Sequence, residues 1–152
     1  MENDRIEIRL LGQGDESVLD RLAPGVFDKA IDPVLTREYL AESHFHLAVA
    51  VEADVVVGMA SAVDYVHPDK PRELWINEVG VAATHRRRGV AKRLLEALFE
   101  HAHGLGCWQA WVLTNRSNVA AMELYRSAGG VTDADDTTMF AFELTGRDGA
   151  GG

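Results

Sequence analysis

From Val79 to Lys92, a pair of alternating aliphatic residues, Val79 and Val81, leads into Arg86, Arg87, Arg88, Gly89, Val90, Ala91 and Lys92. A turn between a strand and the start of a helix exposes unpaired backbone N–H groups at the positive end of the helix dipole. Such a turn is a natural site for phosphate or pyrophosphate. Gly89 lets the backbone approach an anion closely, and guanidinium groups meet phosphate oxygens through two parallel hydrogen bonds. In a chain of formal net charge −9, this local reversal of sign needs a reason. A run of basic residues taken alone is equally the mark of a solvated face, so the context has to decide.

Other reactive side chains have weaker spacing. Cys107 is the single cysteine, which excludes an intrachain disulfide and a cysteine metal cluster, and no basic residue flanks it to make a nucleophile. His44 and His46 lie on one face of a strand, but no third ligand stands out, so no metal site is expected. His101 and His103, two apart on a helix, face away from each other.

Periodicity gives the elements that hold these groups. Residues 6 to 11 alternate apolar and charged side chains as a half-buried strand does. Helices are expected over residues 15–22 and 33–43, joined by an acidic connection that carries Asp28 and Asp32. Strands come next over 44–51, 55–65 and 73–82, three in succession and so an antiparallel meander. The spacing of Val90, Leu94, Leu95, Leu98 and Phe99 predicts an amphipathic helix over 88–103, stopped by Gly104 and Gly106. A short buried strand over 108–114, a helix over 118–128 and a final alternating strand over 139–144 complete the order. Strand, helix, strand implies a parallel crossover. Gly80 suits a bulge in the fourth strand.

Composition narrows the class. At 152 residues, 47% hydrophobic and 26% charged, the chain is expected to form one domain over residues 1–144 with a disordered tail over 145–152. No apolar run approaches a membrane span, and the N-terminus lacks the basic start and apolar block of a signal peptide, so a cytoplasmic protein without a membrane partner is expected. Acidity argues against a nucleic-acid partner and favours a cationic one, although acidity for solubility alone is as common.

Two segments then coincide with one family. Arg86-Arg87-Arg88-Gly89-Val90-Ala91 resembles the core pattern of the GNAT superfamily of N-acetyltransferases: Arg or Gln, any two, Gly, any, Gly or Ala. Asn118-Val-Ala-Ala-Met-Glu-Leu-Tyr125 resembles that family's later signature of Asn, two, Ala, two, Leu-Tyr. The resemblance implies an α/β (α+β) fold with a mixed, mostly antiparallel central sheet flanked by helices. It also implies a parallel pair of strands four and five splayed around acetyl-CoA. By the same resemblance, the turn amides with Arg86, Arg87, Arg88, Gly89, Val90, Ala91 and Lys92 hold the pyrophosphate. Val79 and Val81 pair with the pantetheine arm, Asn118 contacts it, and Tyr125 acts as general acid beside the sulfur. A phenol of pKa about 10 can return a proton to a thiolate whose reference value is about 8.5. Two departures stand out. Ala83 replaces the common proline, and Gly129-Gly130 replaces the usual Gly-Phe.

The implied acceptor is a primary amine attacking the thioester directly in a ternary complex, with a strand-four amide near Val79 stabilising the oxyanion. An amine of pKa about 10 is protonated at neutral pH, so a base is expected. Glu78 is the candidate, directly or through water, with Glu73 in reserve. Glu78 also matches an acidic position of GNAT-type aminoglycoside 3-N-acetyltransferases, which share the His-Arg-Arg-Arg-Gly run. Asp28, Asp32, Asp64, Tyr65 and Glu78 fall in regions that line the acceptor cleft of similar proteins, pointing to a small polycationic amine such as an aminoglycoside. A protein or peptide amine, a metabolite amine, or a non-catalytic acyl-CoA-binding module stay open alternatives. Exposed strand edges and aromatics allow a homodimer.

Overall fold

The computed structural model describes residues 5–132 and 137–145. Its sheet runs β1 (Glu7–Leu11), β2 (Phe45–Glu52), β3 (Val55–His67), β4 (Lys70–Val81) and β5 (Gln109–Val112), in that spatial order. The first four strands are antiparallel neighbours, and β5 joins β4 in parallel. Among the described residues three α-helices accompany them: α1 (Pro33–Ala41), α2 (Val90–Gly104) and α3 (Val119–Ser127). This is the mixed, mostly antiparallel sheet expected from the sequence. Among the described residues no helix is long and apolar enough to cross a membrane.

Local chemistry sets the boundaries. Ala53 and Asp54 both take positive φ, 49° and 64°, forming the two-residue turn whose twist suits a hairpin between β2 and β3. The helix expected over 15–22 is a single 3-10 segment at Glu16–Asp20. The long helix begins at Val90 rather than at residue 88, because Arg87 and Gly89 are left-handed, at φ 61° and 75°, and cannot continue a right-handed helix. From there Val90, Leu94, Leu95, Leu98 and Ala102 are buried at helical spacing against β2, β3 and β4. Each large aliphatic contributes about 1.5–3 kcal/mol by leaving water, so this stripe anchors the turn that precedes it.

Two details of β4 bear on the site. Pairing with β3 runs Ser61 with Glu78 and then Ala62 with Ile76, so Asn77 is the extra residue of a bulge. The bulge is therefore at Asn77 and not at Gly80. Gly80 serves a close approach instead, since a Cβ there would stand 2.1 Å from the Val26 carbonyl oxygen. Second, β5 pairs only with residues from Glu73 to Ile76. Beyond Ile76, the side of β4 away from β3 has no strand neighbour among the described residues.

The strand expected over 139–144 lies outside the sheet. Its residues are irregular, and Met139, Phe140, Phe142 and Leu144 are 77–95% exposed. Alternation specifies the two faces of a strand but not what it pairs with. Of the tail expected over 145–152, all but Thr145 lies outside the described residues.

Candidate active site

The sheet has two faces, and the titratable side chains divide between them. On the α2 face, Asp64 is 5% exposed and receives hydrogen bonds from three partners. His46 donates through Nε2 at 2.6 Å, His44 through Nδ1 at 3.1 Å, and Arg72 through its guanidinium. With His46 donating through Nε2, its Nδ1 accepts from His101 Nε2 on α2 at 3.1 Å. Burial pushes the Asp64 carboxyl up, but the bonds from His46, His44 and Arg72 together outweigh it and hold the group below the ordinary carboxylate range. Burial, with His46 adding to it, holds His101 below its usual 6.5. Asp64, expected at the acceptor cleft, thus belongs to a closed network on the opposite face. His44 lies in the turn before β2 rather than on the strand with His46, and both turn to that carboxylate.

On the other face a cleft of about 510 Å³ opens between the sheet, α1 and the connection before it. Asp28, Asp32 and Glu78 line it together, with Lys29 as the one cation among the lining residues. Glu78 and Asp28 are exposed and make no hydrogen bond or ion pair among the described residues. Asp32 has a further task. Its Oδ1 accepts from the backbone N–H of Val34 at 2.8 Å and of Leu35 at 3.1 Å, capping α1. Thr36 also lines it, with its hydroxyl donating to the Asp32 carbonyl, and Tyr39 and Ser61 complete the polar lining. The Tyr39 hydroxyl donates to the His46 carbonyl at 2.6 Å, and burial pushes it up to about 12, so it stays neutral. Sequence reasoning missed all three residues. Ser61 had a signal, being the lone hydroxyl in the apolar run of β3.

Tyr65 and Glu73 stand further along the sheet, outside the cleft. The Tyr65 hydroxyl receives a hydrogen bond from Trp111 Nε1 at 2.7 Å and donates to Glu73 at 3.4 Å. Trp111 stacks on Trp75 with centroids 4.9 Å apart and planes 6° from parallel. The bulge at Asn77 keeps Glu73, Trp75 and Glu78 on one face despite their uneven spacing.

The turn before α2 has the geometry its sequence suggested. Gly89 is the N-cap of α2 with no side-chain cap, and the first helical bond runs from Arg93 N–H to the Gly89 carbonyl. The N–H groups of Gly89, Val90, Ala91 and Lys92 are therefore left to solvent or a ligand. Nothing lies within 4 Å of where a Gly89 Cβ would be, so the approach is open. Arg86 and Arg87 are exposed; Arg86 Nε donates to the Val81 carbonyl at 3.3 Å, and Arg88 faces Glu52 at 3.9 Å. This uncapped, basic helix start lies at the end of β4, whose Asn77–Val81 stretch has an open side. Together they fit a ligand with a pyrophosphate at one end and an amide-bearing arm at the other.

A sequence profile of the acetyltransferase (GNAT) family matches residues 17–129. The chain belongs to the GNAT family. Human N-acetyltransferase 8 is 31% identical over 96 residues, 62% of this chain; the chain spans 42% of that relative's length. The N-alpha-acetyltransferase RimI of Mycobacterium tuberculosis is 27% identical over 130 residues, 84% of this chain and 80% of the relative. The fold is that of an aminoglycoside acetyltransferase from an uncultured soil metagenomic sample, solved with trehalose. The TM-score is 0.82 at 19% identity, over 95% of this chain and all of that one.

In this GNAT chain, α3 carries the second signature. Asn118 caps it, its Oδ1 accepting from Ala121 N–H at 3.1 Å, which leaves the amide nitrogen of its side chain for a ligand. Tyr125 is partly buried two residues before the end of α3, and burial alone pushes its hydroxyl up, keeping it protonated. Gly129, at φ 94°, and Gly130 close the helix beneath it, with Gly130 N–H donating to the Tyr125 carbonyl at 2.8 Å.

Proposed function

We propose that this protein transfers acetyl from acetyl-CoA to a primary amine by direct attack in a ternary complex, and that the acceptor is a small polycationic amine of the aminoglycoside kind. The observation that carries this reading is the cleft in which Asp28, Asp32 and Glu78 converge on the same sheet face. Its volume is in the range of small-molecule sites, and its carboxylates complement a cation. The likeness to a fold that has also been solved with sisomicin points the same way.

Acetyl-CoA supplies an acyl group activated as a thioester. The amides of Gly89, Val90, Ala91 and Lys92, with Arg86, Arg87 and Arg88, hold its pyrophosphate. The open side of β4 at Val79 and Val81 and the side-chain amide of Asn118 align its arm. Glu78 accepts the proton of the incoming ammonium, directly or through one water. A backbone N–H near Val79 donates to the oxyanion, and Tyr125 protonates the departing sulfur. Because its hydroxyl is held high, Tyr125 keeps that proton throughout the physiological range.

The match to RimI over most of the chain favours one second reading, acetylation of a protein N-terminus. Thiol release measured with acetyl-CoA and a panel of aminoglycosides, polyamines and N-terminal peptides separates them. Release is expected with the polycationic small amines; release with peptides alone transfers the assignment to the second reading. Binding of acetyl-CoA with no acceptor-stimulated release would show a binding module rather than an enzyme. Tyr125→Phe is expected to lower kcat by about 10²-fold or more while leaving the KM for acetyl-CoA near its starting value.

A further inference from the structure

The sheet face that carries Glu78 continues beyond α1, and there it turns aromatic. Strand register sets Phe45, Val63, Trp75 and Trp111 side by side across β2, β3, β4 and β5. The adjoining row is Leu47, Ser61 and Glu78, all three of which line the cleft, so the aromatic row is continuous with it. Phe45 is 39% exposed and Trp75 37%. A contiguous apolar strip bordered by polar groups marks a place where a ligand or partner sits, whereas a lone exposed apolar residue does not.

Two features make the strip a built surface. Trp111 stacks on one face of the Trp75 indole and is itself held by the bond from its Nε1 to the Tyr65 hydroxyl at 2.7 Å. On the opposite side the register neighbour of Trp75 is Val63, too short to cover the second face of the indole. The other feature is Glu73, two residues before Trp75 on the same face. Glu73 is only 8% exposed, yet the Tyr65 bond at 3.4 Å is the one hydrogen bond or ion pair it makes among the described residues. Its second carboxylate oxygen still reaches solvent, because no polar side-chain atom among the described residues is both buried and without a partner. A carboxylate held in so little water without a counter-charge favours a cation that comes to it.

We propose that Trp75 and Glu73 form a second subsite beside the acceptor cleft, and that this subsite takes an amino-sugar ring. The ring lies on the open face of the Trp75 indole and an ammonium group it carries pairs with Glu73, while the amine to be acetylated lies at Glu78. The face of an indole is the negative side of its quadrupole, so it attracts both the C–H hydrogens of a sugar ring and a nearby ammonium. Only a ligand with rings and several charges uses the indole, Glu73 and Glu78 together. A linear polyamine meets the carboxylates and leaves the indole bare. The inference rests on the polycationic-acceptor reading and narrows it to polycations that carry rings.

Isothermal titration calorimetry of the coenzyme A complex with sisomicin and with spermidine, a polyamine without rings, tests the subsite. The parent is expected to bind sisomicin the more tightly. Trp75→Leu is expected to shrink the ratio of the two affinities about tenfold, and Trp75→Phe to keep most of it. Glu73→Gln is expected to weaken sisomicin binding about tenfold. Tryptophan fluorescence of the parent gives a readout that needs no variant: saturating sisomicin is expected to change it more than saturating spermidine does. An equal ratio in the parent and Trp75→Leu, or a fluorescence response no larger with sisomicin, would overturn the subsite while leaving the cleft as the acceptor site. Sisomicin that fails to bind at all would overturn the subsite together with the polycationic-acceptor reading.

Discussion

Asp64 and Glu78 sit on adjacent strands of one sheet and differ in almost everything else. Asp64 is buried on the α2 face beneath His46, His44 and Arg72. Glu78 is exposed on the α1 face, without a hydrogen bond or ion pair among the described residues, in a cleft it shares with Asp28 and Asp32. A buried carboxylate with its partners supplied is committed to the fold, because removing either side leaves an uncompensated charge. An exposed carboxylate without partners costs the fold little and is available to a ligand. Sign and residue type alone do not separate the two; the face of the sheet does.

Substitutions on each face put that contrast at risk. Glu78→Gln should have the largest effect on activity, lowering kcat/KM for the amine by about 10²–10⁴-fold with an unchanged denaturant midpoint. A shifted midpoint would place Glu78 in the fold. Asp64→Ala should do the reverse, costing about 3–5 kcal/mol in urea unfolding because Arg72 and His46 lose their counter-charge. Residual activity per folded molecule should stay close to the parent, and its collapse would join Asp64 to the site.

Acid titration tests the same network with smaller steps. His101 is held below its ordinary 6.5, so the unfolded chain binds a proton before the folded one does. Stability is therefore full above pH 6.5 and declines as pH falls below it. Asp64, held below its ordinary 3.8, contributes stability above that value and loses it as pH falls through the lower folded one. Melting temperatures followed from about pH 8 to about pH 3 should show both declines, and His101→Gln should remove the first. The smallest effect is expected from Asp28→Asn. It should raise the KM for a polycationic acceptor roughly two- to five-fold, the worth of one exposed charge pair. An uncharged acceptor should be indifferent to it.

The sequence told more about α2 than about β3. Leu94, Leu95 and Leu98 repeat at helical spacing, and Gly89 marks the turn, so α2 and the uncapped turn before it are legible without coordinates. Asp64 and Tyr65 both point to the acceptor cleft by their place in the sequence, yet neighbours on a strand face opposite sides of the sheet. The run from Val55 to Val63 is apolar on both faces, so it offers no alternation by which to tell them apart. The bulge at Asn77 is also invisible in the sequence, although it sets the common face of Glu73, Trp75 and Glu78. Residues 139–144 read as a strand because they alternate, and alternation cannot reveal that the single chain leaves them unpaired.

Amide hydrogen exchange of the protein with coenzyme A, recorded with and without sisomicin, decides whether the carboxylate cleft is the acceptor site. Added protection is expected in residues 27–36 and 76–80, which border that cleft, and none in the peptides that carry His44, Asp64 and His101. Protection confined to the α2 face, or no protection at saturating sisomicin, would contradict the assignment.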